Sequence, residues 1–80
     1  MRLDKFLKVS RLIKRRAVAQ SACAGARVEA NGKAAKPSYQ VKEGDVLTIR
    51  FGEKPLTVRV LRLSETVRKE DADAMYEVIP

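Results

Sequence analysis

MRLDKFLKVSRLIKRR, residues 1–16, decides how the rest of the chain is read. It holds seven bases, Arg2, Lys5, Lys8, Arg11, Lys14, Arg15 and Arg16, against the single acid Asp4, and so carries six units of the net charge of +7. The remaining ten bases are almost balanced by nine acids, so the excess is one local surface. Clustered Lys and Arg are the footprint of a polyanion, because neutralised phosphates release their condensed counterions. Nucleic acid is the first candidate ligand, and the seven bases are its candidate contacts.

The same stretch has helical periodicity. At about 100° per residue, a helix over residues 3–10 places Leu3, Phe6 and Leu7 on one stripe and Arg2, Lys5 and Lys8 opposite, one face for a core and the other for a ligand. Asp4 falls in the first turn, where it suits the positive end of the helix dipole and can orient neighbouring bases. Val9 points toward the basic side, so the helix ends there or Val9 packs under the next segment. Ser10 to Ile13 read as a connector, with Leu12 and Ile13 available to plug the space between two helices.

A second helix is expected from Arg15 or Arg16 to Ala24, since RAVAQSACA is alanine-rich and lacks glycine and proline. Val18, Ala19, Ala22 and Cys23 form its apolar stripe, small enough for close approach of a partner helix, and Arg16 and Gln20 share the other side at i and i+4. Lys14, Arg15 and Arg16 oppose the dipole at this helix start. A phosphate held between them and the free helix amides would account for their presence. A basic amphipathic helix can also lie on anionic lipid, but Leu3, Phe6 and Leu7 are needed for the core.

Gly25 then serves as a helix stop. Arg27 to Ala30, Asn31-Gly32 and Lys33 onward read as strand, type I′ turn and return strand, because Asn-Gly tolerates the positive φ angles of that turn. Pro37-Ser38 breaks the pattern, residues 39–41 lead into a turn at Lys42 to Asp45, and Leu47, Ile49 and Phe51 alternate with Val46, Thr48 and Arg50. After a turn over residues 52–55, Leu56, Val58 and Val60 alternate with Thr57 and Arg59 as a second antiparallel strand. Residues 64–73 read as a polar loop with one helical turn, and Tyr76 to Ile79 as a closing strand. The fold class is α+β: two short N-terminal helices packed on a small curled, mostly antiparallel sheet. Tyr39 and Tyr76 could stack on unpaired bases, but the amphipathic ring of a tyrosine in a small sheet favours a core position with the hydroxyl at the edge.

The inventory argues against catalysis. With no His and one Cys, neither a His-based triad nor a Cys/His metal cluster can be assembled. Gly25, Gly32, Gly44 and Gly52 are isolated turn residues and form no phosphate loop. Glu70, Asp71 and Asp73 lie in a charge-rich stretch with nothing nearby to raise a pKa. No catalytic residue, cofactor or metal is expected. There is no apolar run near the ~18 residues of a membrane span and no secretory h-region. Together with the unpaired Cys23, read as a buried small hydrophobe, this suggests a cytoplasmic chain without a membrane partner. In the absence of a further apolar stripe, a monomer is the default.

Arg2-Leu3-Asp4, the basic Arg16 followed three positions later by Ala19, then Arg27-Val28-x-x-Asn31-Gly32 and Val41-x-x-Gly44-Asp45, form an ordered set. In this combination the chain resembles the RNA-binding domain named after small-subunit ribosomal protein S4, with the signature over residues 1–51. The resemblance implies one RNA-binding domain over residues 1–80, strands within 56–80 completing its sheet. On matching positions Arg2 and Arg16 would contact RNA with Arg11, Lys14 and Arg15 beside them, whereas Lys5 and Lys8 follow from helix periodicity alone. One departure is that the family's glycine before the Val-x-x-Asn-Gly strand falls at Ala26.

The first sixteen residues, the turn VKEGD, Arg50-Phe51-Gly52, Lys69-Glu70 and Met75-Tyr76 are similar, nearly end to end, to the bacterial RqcP family of ribosome-associated quality control, itself related to the fifteen-kilodalton heat-shock family. That likeness implies large-subunit rRNA and peptidyl-tRNA as partners on obstructed large ribosomal subunits. It also implies stabilisation of the P-site tRNA while the partner RqcH directs C-terminal alanine tailing. A general structured-RNA module, or the RNA-binding fragment of an RNA-modifying enzyme such as a pseudouridine synthase, is the alternative.

Overall fold

Seven residues suffice for the first helix, α1 (Leu3–Val9), because its start is tied down by a distant strap. The Leu3 N–H donates to the Tyr39 carbonyl at 2.8 Å, the Asp4 N–H to that of Pro37 at 3.2 Å, and the Val41 N–H to that of Met1 at 2.8 Å. The first two bonds satisfy amides that a helix start otherwise leaves unpaired. The computed structural model describes residues 1–25, 27–50, 55–64, 72 and 74–79, with the side chain of Arg16 also outside the description. α1 ends at Val9, one of the two outcomes read from that residue's place on the basic side. Ser10 caps it, its N–H donating to the Phe6 carbonyl and its Oγ–H to that of Leu7.

The second helix, α2 (Arg16–Ala24), packs on α1 through Ala19, Ala22 and Cys23, all buried. Val18 is 44% exposed, so the apolar stripe is narrower than expected: a nine-residue helix facing one partner buries one row, and Val18 lies to its side. The connector behaves as its composition suggests, with Ile13 buried and Leu12 and Val9 partly buried against the core. Gly25 follows α2 at φ −83°, an ordinary conformation. Its small size is used instead, since a Cβ there would stand 3.3 Å from the Ser21 carbonyl oxygen. Ala26, where the family's glycine is expected, lies outside the described residues.

The strands are β1 (Val28–Ala30), β2 (Lys33–Ala34), β3 (Val46–Ile49), β4 (Leu56–Val60) and β5 (Tyr76–Val78). They form one sheet in the order β2-β1-β3-β4-β5, antiparallel at every junction. Asn31 and Gly32 have φ 53° and 85°, the two left-handed residues that a type I′ hairpin requires. Register places Val28 opposite Ile49, and Ala30, Leu47 and Val58 in one row. With side chains alternating between faces, these residues and Val60 meet Leu3, Phe6 and Leu7 in a single core. The reverse face is polar, carrying the exposed ion pairs Arg50–Glu29 at 3.4 Å and Arg59–Glu77 at 2.8 Å.

Leu56 departs from the expected alternation. It occupies a core-facing position opposite Ile49 yet is 39% exposed. It lies at the start of β4, toward the side of the sheet where Val78 of the edge strand β5 is also exposed. α2 packs instead against β1. The expected Phe51 position, most of the turn over 52–55 and most of the polar loop over 64–73 fall outside the described residues. Ala72 within that loop and Met75 beyond it are buried.

A second polar node fixes the sheet to the strap. The Asp45 carboxylate accepts from the Lys42 N–H at 2.9 Å, the Tyr39 O–H at 2.9 Å and the Asn31 amide at 3.2 Å. The Asn31 side-chain oxygen in turn accepts from the Val46 N–H at 3.0 Å. Tyr39 and Tyr76 both pack partly buried against the core, as the residue type suggested. Partial burial pushes the Asp45 pKa up, but the three donors outweigh it and hold the carboxyl below its ordinary 3.8. The contribution of this node is therefore present above about pH 4 and lost as acid protonates Asp45. Asp45→Ala should lower unfolding stability by roughly 1–2 kcal/mol, and Asp45→Asn should flatten the loss of stability between pH 4 and 2, both measured by urea denaturation.

Candidate nucleic-acid interface

Asp4 is the unusual residue of α1: an acid in a basic segment, with a fully buried side chain. Its position beside the Leu3, Phe6 and Leu7 stripe explains the burial, since at about 100° per residue it borders that stripe. Taking a carboxylate out of water is costly unless donors surround it. Here Oδ1 accepts from Arg2 Nε at 3.2 Å and the Lys5 N–H at 2.8 Å, while Oδ2 accepts from Arg2 at 3.3 Å and Gln20 Nε2 at 3.0 Å. One carboxylate thus grips the residue before α1, the first turn of α1 and the middle of α2.

This fixes Arg2 as a half-exposed guanidinium, 46% exposed, held in a bidentate fork. The planar fork restrains the side chain while leaving part of it toward solvent. Lys5 is half-buried, and Lys8, Arg11, Lys14 and Arg15 are exposed. Arg16 opens α2, and its side chain falls outside the description. The structure therefore brings the described candidates onto α1, the connector and the start of α2, which are locked to one another. Gln20, read from sequence only as the i+4 neighbour of Arg16, is the link between helices. A charged residue on the border of an apolar stripe was the signal for such a link.

The connector holds a conformational cost. Arg11 has φ 64°, its N–H donating to the Lys8 carbonyl at 3.1 Å. A left-handed residue after a helix is usually glycine, because a Cβ there costs about 1 kcal/mol. α2 begins without a side-chain cap, Arg15 being extended at φ −124°, and no acid lies in its first turn. Cys23, in the last turn of α2, is buried, and burial, then the nearby Asp4 charge, push its thiol up to about 11. Among the described residues no cluster of three metal-ligating side chains stands together, and no helix is long and apolar enough to cross a membrane.

A basic surface along α1 and its connector to α2, set on an antiparallel sheet, suits an RNA-binding module, and the family model described as S4 domain matches residues 1–47. The RQC P-site tRNA stabilizing factor of Halalkalibacterium halodurans is 59% identical over 78 residues, covering 98% of this chain and 89% of the relative. That of Bacillus subtilis is 54% identical over 79 residues, covering 99% and 92%. Heat shock protein 15 of Vibrio cholerae, whose structure is described as trimeric, superposes with a TM-score of 0.92 at 34% identity, covering 99% of this chain and 81% of its own. The chain belongs to the S4-domain family and, within it, to the group of RQC P-site tRNA stabilizing factors, also called RqcP, with heat shock protein 15 as a relation.

Asp4→Ala should lower stability by roughly 2–3 kcal/mol, somewhat less than for a fully buried pair because Arg2 can still reach water. Denaturant titration measures this, and RNA affinity should fall with it even where the variant remains folded. Arg11→Gly should separate the two properties: its melting temperature should rise, and its affinity for RNA should drop.

Proposed function

We propose that this protein is a non-catalytic RNA clamp of ribosome-associated quality control. It binds large-subunit rRNA and peptidyl-tRNA on obstructed large ribosomal subunits and stabilises the P-site tRNA during C-terminal alanine tailing of the stalled chain, with RqcH as the tailing partner. It acts in the cytoplasm as a monomeric single domain. Arg2, Lys5, Lys8, Arg11, Lys14, Arg15 and Arg16 make the RNA contacts in this reading. The observation that carries it is the set of bases exposed at Arg2, Lys8, Arg11, Lys14 and Arg15, along α1 and the connector, on a pair of helices that the buried Asp4 locks together. The near full-length similarity to RQC P-site tRNA stabilizing factors supplies the biological setting.

The mechanism is differential binding. A preorganised rigid set of cations favours whichever tRNA position places phosphates against it, and a ligand shifts an equilibrium only by such a difference in affinity. Phosphate contacts fix register without reading sequence. Specificity then comes from the shape of folded RNA and the ribosomal setting.

Arg2→Ala and Arg16→Ala should each weaken binding to purified large subunits by about tenfold, equivalent to about 1.4 kcal/mol. Each should also reduce the slope of log affinity against log salt by about one. Unchanged sedimentation of both variants with large subunits at physiological salt would sink the proposal. Recovery of diverse RNAs without large-subunit enrichment, on gentle purification from cells, would instead favour a general structured-RNA module.

A further inference from the structure

Between the β1–β2 hairpin and the strap lies a cleft that the clamp does not use. It is a cavity of about 530 Å³ lined by Ala30, Asn31, Lys33, Ala34, Ala35 and Tyr39, within the size range of small-ligand pockets. Ala30 and Ala35 make a buried apolar floor, and the half-buried Tyr39 contributes an aromatic wall. The polar ends of that wall are already engaged. The Tyr39 hydroxyl donates to Asp45, and the Asn31 side chain donates to Asp45 and accepts from the Val46 N–H. Among the described residues no acid lines the cleft, and the exposed Lys33 provides a cation. Glu29, opposite Ala34 across the hairpin, is paired with Arg50.

The cleft is physically joined to the basic surface. Tyr39 accepts the Leu3 N–H through its carbonyl, and the next residue, Gln40, forms a β-bridge with Arg2. The aromatic wall and the bidentate arginine are thus held in fixed relation by backbone bonds. From this we infer that the cleft takes up one unpaired nucleobase of the RNA bound along the helices. The base stacks on the Tyr39 ring, and Lys33 meets the adjoining phosphate. The inference rests on the RNA-binding reading above and adds to it a preference for single-stranded or bulged nucleotides over uninterrupted duplex. Because the wall's hydrogen-bonding groups are spent inside the protein, recognition is by stacking and tolerates any base. An anionic peptide would match the lysine but would leave the aromatic and alanine walls without a planar partner.

The test is a titration of the full-length, nitrogen-15-labelled protein with hexaadenylate and with an abasic strand of equal length and charge, read by amide chemical shifts. Hexaadenylate should move the amides of Asn31, Lys33, Ala34, Ala35 and Tyr39. The abasic strand should move only those of the helices and connector. Lys33→Glu, which sets a like charge against the phosphate without touching the Tyr39–Asp45 bond, should shrink the cleft shifts and weaken hexaadenylate binding roughly tenfold at unchanged melting temperature, and leave binding of the abasic strand unchanged. Tyr39→Phe keeps the ring and should keep those shifts even if it melts earlier. Equal cleft shifts with the abasic strand, or wild-type hexaadenylate affinity in Lys33→Glu, would overturn the inference. Large-subunit binding with a silent cleft overturns this inference alone, whereas loss of all RNA binding, helices included, overturns the clamp with it.

Discussion

A single buried carboxylate sets the geometry on which the basic surface depends. Asp4 sits where an apolar residue would be cheaper, and it is tolerated because Arg2, the Lys5 amide and Gln20 all donate to it. A buried ion of this kind is weak evidence for stability in itself, since desolvation offsets most of the attraction. What it contributes is position. Seven like charges in sixteen residues repel one another, and one enclosed acid both offsets part of that repulsion and points one guanidinium in a defined direction.

The Asp45 node does for the sheet what Asp4 does for the helices. Asn31 of the hairpin, Tyr39 of the strap and the turn before β3 converge on it. The strap then runs back along the start of α1 and supplies the carbonyls that its amides need. The two nodes are thereby connected through residues 37–41. A helix of only seven residues, too short to be stable alone, is held by this arrangement and by the Phe6, Leu3 and Leu7 side chains in the core.

Such a scaffold suits a binding role. Its exposed functional groups are cations on rigid elements, and its one thiol is buried with a raised pKa. Preorganisation lowers the entropic cost of engaging a folded RNA. Arg11, held in a left-handed turn at the end of α1, adds a conformational cost to the same segment.

Much was legible from residues alone. The helix stripe of Leu3, Phe6 and Leu7, the Asn31-Gly32 hairpin and the alternation of Leu47 with Ile49 and of Val58 with Val60 are local periodicities, and local backbone preference enforces them. The concentration of charge in residues 1–16 needs no fold at all to be seen. Tertiary structure decided the rest. Val18 and Leu56 carry the same local signal as their buried neighbours, and only the extent of helix cover left them exposed. The burial of Asp4, its link to Gln20 sixteen residues away and the meeting of Asn31 with Asp45 are long-range pairings. No periodicity encodes them, because a polar side chain becomes a structural node only when the packing of distant elements removes its water.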